Sequence, residues 1–175
     1  MSEVIKKIDG KAASLIDEVD DRGRSGSSLL APLDLEEQLA AVLKWMRGPR
    51  VIDLPGGGTD TVPRFGVLSI VLQKTQVFVY DHPVLLEISK TAFTDGIHMF
   101  ISAGLFDLLN ESVEKNPSTF GVEWVINHEL MHKLFNHVRR MNQFPPDIAN
   151  EAQDLSINTK LVEGYPDVRP CPKLL

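Results

Sequence analysis

The chain holds a single cysteine, Cys171, so no internal disulfide can form. That favours a reducing compartment. No stretch approaches the roughly 20 apolar residues that a membrane-spanning helix needs. The opening segment, MSEVIKKIDGKAASLIDEVDDR, lacks the apolar core of a secretory signal. These absences lead us to expect a cytoplasmic protein with no membrane partner. Basic residues are not in excess: 18 Lys and Arg face 24 Asp and Glu, a net charge of -6 that argues against a nucleic-acid surface. Internal repeats are absent. The one glycine run, Pro55-Gly56-Gly57-Gly58, is followed by Thr59-Asp60 instead of Gly-Lys-Ser/Thr, so it lacks the phosphate-binding pattern and reads as a mobile loop.

The 175 residues, 43% hydrophobic and 24% charged, fit one soluble globular domain large enough to bury a core. We divide it into an N-terminal helix and linker (1–28), a helix and loop (29–64), a main body (65–162) and a flexible tail (163–175). Ile5, Ile8, Ala12, Leu15, Ile16 and Val19 have helical spacing over residues 3–19, and DDRGRSGSS after them reads as a linker. A second helix is expected from a cap at Asp34 to Gly48-Pro49, with Leu35, Leu39, Val42, Leu43 and Met46 as its apolar stripe. Residues 48–64 read as loop. Phe65–Leu72, Gln76–Tyr80 and Val84–Ile88 read as strands, and His82 before Pro83 as a turn. Phe93 and Ile97–Ile101 flank Thr94-Asp95-Gly96, a tight-hairpin signal. Helices are expected over Ala103–Glu114, from Pro117-Ser118 to a break at Phe144-Pro145-Pro146, and from a cap at Asp147 to Gly164. The middle one buries Val122, Val125, Ile126, Leu130, Leu134 and Val138. Helices, then strands, then helices make an α+β fold.

The chemistry concentrates at His128-Glu129-Leu130-Met131-His132, an H-E-x-x-H box on that middle helix. At about 100° per residue, His128 and His132 lie about 40° apart on one face, one turn from each other. Two imidazoles so placed can grip one zinc ion. Glu129 beside them suits a general base acting on water, not a ligand.

A catalytic zinc takes three protein ligands, so one more is required. His137, Glu151 and Asp154 are the candidates. On an unbroken helix His137 points about 180° from His128, and Lys133-Leu134-Phe135-Asn136 contains no Gly or Pro to break it. His137 therefore reads as a hydrogen-bonding residue before a ligand. Asp154 and Glu151 lie on the final helix, the placement of the third ligand in glutamate-type zinc peptidases. Asp154 is favoured, with Glu151 the close alternative. Asn158, four residues past Asp154 on the same face, can accept the free N–H of His128.

His128-Glu129-x-x-His132-x-x-x-x-His137-x-Arg139-Arg140, then Asn150-x-Ala152-x-Asp154-x-x-Ile157-Asn158, all preceded by Thr94-Asp95-Gly96, is a pattern found elsewhere. It resembles the metallopeptidase-like domain that occurs beside von Willebrand factor A-like domains in bacterial and phage proteins, over about residues 92–162. The resemblance implies a zincin-like α+β fold: a small antiparallel or mixed sheet, an active-site helix, and a following helix with the third ligand. It implies that Thr94, Asp95, Gly96 and the strand with His98 form the edge beside the site, and that the Asp154 motif completes a zinc site. A von Willebrand factor A-like partner, if the resemblance extends that far, would sit on a separate chain or be absent. Ala149 stands where the family usually carries tryptophan, which alters a pocket or the packing of the final helix.

The leading expectation is zinc-dependent hydrolysis of a peptide or protein substrate, with Glu129 as base and the Ile97–Ile101 strand pairing with an extended peptide. Arg139 and Arg140 read as structural cations at a helix end, and His98 as a half-buried strand residue. A non-catalytic zinc scaffold and an amidohydrolase acting on a non-peptide amide are the rival readings; the presence of Glu129 speaks against the scaffold. Cys171 in the tail also has the chemistry to cover an open zinc position.

Overall fold

A computed structural model describes residues 33–116, 121–140 and 143–164. The expected N-terminal helix and linker, the start of a helix at Pro117-Ser118, and the tail with Cys171 lie outside the described residues. Helix α1 (Leu33–Arg47) packs Leu35, Leu39, Leu43 and Met46 into the core, as the stripe predicts. It begins before Asp34, so that carboxylate sits in the first turn, where the helix dipole favours it, and not at the cap.

The expected loop over 48–64 is instead an antiparallel hairpin of β1 (Pro49–Asp53) and β2 (Thr59–Pro63). Gly56, Gly57 and Gly58 all take positive φ at its tip, so the glycine run closes a turn. Its strands are almost wholly exposed, and without a buried face they show no alternation of apolar and polar residues. Arg64 anchors the base: its guanidinium donates to the carbonyls of Trp45 (3.2 Å) and Pro49 (3.0 Å) and lies 4.4 Å from the Trp45 ring.

Phe65–Leu72 is not a strand. Gly66 leads into helix α2 (Val67–Gln73), which buries Leu68, Ser69 and Leu72 on one face. The β-branched content suggested a strand, but one apolar turn of helix fits the site because Leu68 and Leu72 are four apart. Strand β3 (Gln76–Tyr80) follows. Val84–Ile88 is likewise not a strand: Pro83 opens a short helix α3 (Pro83–Leu86), and His82 Nδ1 accepts from Val84 N–H as its cap.

Strands β4 (Ala92–Thr94) and β5 (His98–Ser102) form the expected hairpin. Asp95 closes it through its N–H to the His98 carbonyl (3.3 Å), so Gly96, at φ 90°, and Ile97 make the turn. The sheet order is β3-β5-β4, with β3 parallel and β4 antiparallel to β5. Strand β5 is therefore central and has no edge for a peptide; the expected pairing of Ile97–Ile101 with substrate is overturned. Among the described residues, β4 carries the open edge on that side.

Helices α4 (Ala103–Lys115), α5 (Val122–Leu134), the short α6 (His137–Arg140) and α7 (Pro146–Gly164) complete the fold. Asp147 lies in the first turn of α7, one residue past its start. Val77, Val79, Met99 and Ile101 face the helices, where they join Phe106, Leu109, Val125, Ile126, Leu130, Ile157 and Leu161 in one core. On the opposite face, Phe78 and Phe93 stack on Phe100, and Tyr80 and Leu85 complete this second cluster. The architecture is α+β with small sheets. The largest departure among the helices is the end of α5: it stops at Leu134, ten residues before the expected proline break. Asn136 adopts φ 54°, and asparagine is the side chain after glycine that best tolerates this left-handed stop. Leu134 is consequently exposed.

Candidate metal centre

His128 and His132 project from successive turns of α5, and Asp154 meets them from α7. Their ligand atoms, one from each residue, all lie within 4.8 Å of one another. His128 Nε2 is 3.0 Å from His132 Nε2, and Asp154 Oδ1 is 3.4 Å from the first and 3.0 Å from the second. Two imidazole nitrogens and one carboxylate oxygen converging on a point are a donor set suited to a divalent transition metal.

The outer atoms of each group are also engaged. His128 Nδ1 lies 2.8 Å from Asn158 Oδ1. An amide oxygen only accepts, so Nδ1 carries the proton, an arrangement that would leave the Nε2 lone pair available to a metal. His132 Nδ1 lies 3.2 Å from His137 Nδ1. Because α5 ends early, His137 swings back beside His132 and does not point away from it, but it reaches the far nitrogen of that ring and is not in the converging group. Asn150 Nδ2 donates to Asp154 Oδ2 (3.1 Å) and holds the carboxylate from its own helix. Glu151 is exposed and outside the group. The Trp124 ring stands 5.7 Å from that of His128 and forms a wall.

Glu129 is 9% exposed. Burial pushes its carboxyl above the ordinary range, against the opposing pull of His128 and His132. Burial also acts on Asp154, but the hydrogen bonds from His128 and His132 outweigh it and hold that carboxyl well below its usual value. Burial disfavours charge on His128 too, yet Asp154 and Glu129 together raise its pKa. The carboxylates thus differ: one is locked as an anion, and one holds its proton more readily, which suits a group that accepts and returns a proton.

The Thr94-Asp95-Gly96 turn approaches α5 through Lys133, which sequence reading passed over. Lys133 Nζ donates to the Ile97 carbonyl (2.8 Å) and to Thr75 Oγ1 (3.0 Å), linking α5 to the hairpin turn and the approach to β3. Its position four residues after Glu129 was the available signal. Asp95 takes N–H donation from Ile97 and His98, and its Oδ2 lies 2.9 Å from His98 Nδ1. His98 is thus committed within the hairpin, packed near Phe78 and Phe100, and outside the converging group. Arg140 donates to the Phe135 carbonyl at the end of α5 (3.4 Å), while Arg139 is exposed. Ala149 is buried, so α7 packs closely where the related pattern has tryptophan.

Residues 90–172 match the family described as "Putative metallopeptidase domain". The matched stretch contains the β4–β5 hairpin, the three converging side chains and Glu129. No curated protein and no solved structure matches the chain. No helix among the described residues is long and apolar enough to cross a membrane.

Proposed function

We infer that the chain is a zinc-dependent peptidase of zincin type, with His128, His132 and Asp154 as ligands and Glu129 as general base. The observation that carries this reading is the convergence of two Nε2 atoms and one carboxylate oxygen from two helices, with a buried glutamate between the histidines. Zinc held there supplies a Lewis acid that polarises a carbonyl and acidifies water. Asn158 and His137 fix the ring orientations of His128 and His132, and Asn150 fixes Asp154. Glu129 accepts a proton from the attacking water on a carboxylate oxygen and delivers it to the leaving amine. The open edge of β4, beside α5, is the place for an extended peptide, whose main chain would add a fourth strand.

Elemental analysis of the wild type and of Asp154→Ala, Glu151→Ala and His137→Ala tests the ligands. One zinc per chain, lost in Asp154→Ala and retained in Glu151→Ala, is the expected result; a metal-free wild type after zinc addition overturns the reading. Glu129→Gln should keep its zinc and lose cleavage of a peptide library by about 100-fold or more. Undiminished cleavage would remove Glu129 from the mechanism, and an intact zinc site with no cleavage by the wild type would favour a scaffold.

A further inference from the structure

Residues 44–74 run from the last turn of α1 to the end of α2. They carry five cations, Lys44, Arg47, Arg50, Arg64 and Lys74, against two carboxylates, Asp53 and Asp60. This local positive excess sits in a chain whose net charge is -6. The hairpin register puts both carboxylates towards the β1–β2 tip, away from the base at Pro49 and Pro63. The cations gather around that base and along α2. Arg64 lies on the Trp45 ring and donates to the Pro49 carbonyl, next in the chain to Arg50. Arg47 donates to the Leu72 carbonyl (3.3 Å), two residues before Lys74. Among the described residues, none of the five takes part in an ion pair. The carbonyl end of α1 attracts cations, but it is equivalent to only about half a negative charge.

Apolar side chains are exposed among these cations. Trp45 is 48% exposed, and Val67 and Ile70 are 54% and 53% exposed. Phe65 connects them: its ring stands 5.6 Å from that of Trp45, edge to face, and its carbonyl accepts from Leu68 N–H in the first turn of α2. Val67 and Ile70 are three apart and Lys74 follows four later, so one side of α2 presents two aliphatic groups and then a cation.

Unpaired cations around exposed apolar groups suit a partner that brings anions and apolar groups together. An acidic, amphipathic polypeptide segment has both. A nucleic acid supplies anions but offers little to Val67 and Ile70, and the net charge of -6 repels a polyanion at long range. We propose that this face, from the last turn of α1 across the hairpin base to α2, docks an acidic amphipathic segment of a partner polypeptide. Carboxylates of that segment pair with Lys44, Arg50 and Lys74, and its apolar side chains cover Trp45, Val67 and Ile70.

The test is fluorescence anisotropy of a labelled, short helical peptide with leucines on one face and glutamates on the other, titrated with the full chain. The wild type should bind it, and less tightly as salt is raised. The charge reversals Lys44→Glu, Arg50→Glu and Lys74→Glu, combined in one variant, should weaken binding by about tenfold or more, as should Val67→Ser with Ile70→Ser. No binding by the wild type would overturn the proposal, as would equal binding by the charge-reversed variant. Two comparisons need only the wild type and stand even if a variant fails to fold. A peptide with glutamine in place of each glutamate should bind about tenfold more weakly, and equal binding would remove the role of charge. Oligothymidine should not displace the acidic peptide; displacement would assign the face to nucleic acid and overturn the proposal. Wild-type dimers in sedimentation that dissociate on charge reversal would place a second copy there instead and likewise overturn it.

Discussion

Asn136 decides what His137 can do. Its left-handed conformation ends α5 and returns the chain so that His137 meets His132. Lys133–Asn136 contains neither glycine nor proline, so no strong stop is legible there; asparagine is a weaker one, and tertiary contact at His132 reinforces it. Glycine keeps the conformation freely, whereas a β-branched residue does not. Asn136→Val should cost about 1–2 kcal/mol in urea unfolding, against little for Asn136→Gly. Equal stability of the two variants would show that the turn is not strained. The i,i+4 relation of Asp154 and Asn158, by contrast, was legible, because helix periodicity alone sets both on one face. Protonation of the site carries a second prediction. Asp154 titrates below 3.8, so its contribution to the metal-free fold is present above that value and lost as pH falls through its folded pKa. His128 titrates above 6.5, so its contribution is complete below that value and lost as pH rises through its folded pKa. Both act together between about pH 4 and 6.5. An ion must displace the His128 proton, so zinc affinity measured by calorimetry should rise as pH increases past 6.5. An affinity independent of pH would exclude His128 as a ligand.

Elements with one buried face were the readable ones. The stripe of α1, the strand β3, the β4–β5 hairpin and α4 each have a pattern set by burial on one side. The β1–β2 hairpin has almost no buried face, and α2 and α3 are too short for a 3.6-residue period to differ from a run of apolar residues. Lys133 shows how elements without a shared sequence pattern are joined: one ammonium group connects α5 to the β4–β5 turn. Lys133→Met removes the donors and keeps the stem. It should destabilise the turn by about 1 kcal/mol, seen as faster amide hydrogen exchange in β4 and β5, with zinc content unchanged. Loss of zinc in this variant would show that Lys133 supports the ligands directly.

At the scale of the whole molecule, the α+β class and the separation of the two site helices were available from the order of the elements. The parallel pairing of β3 with β5 was not, because it depends on a crossover that no local pattern encodes. That pairing places β5 at the centre of the sheet and leaves β3 and β4 as its two edges. A metal that binds only the folded chain stabilises it, by about 2.7 kcal/mol when its free concentration is 100 times Kd. Chelation should therefore lower the midpoint of thermal unfolding for the wild type and leave Asp154→Ala unchanged. Equal shifts in the two proteins would point to a different metal site.

The converging side chains have one more consequence. His132 and Asp154 stand on either side of the α6 region, and an ion gripped by both would close the intervening chain into a ring of about twenty residues. A covalent bridge around such a ring restricts the unfolded chain by about 3 kcal/mol in the chain-entropy account. In a chain whose only thiol is Cys171, coordination at α5 and α7 would do the work of a staple.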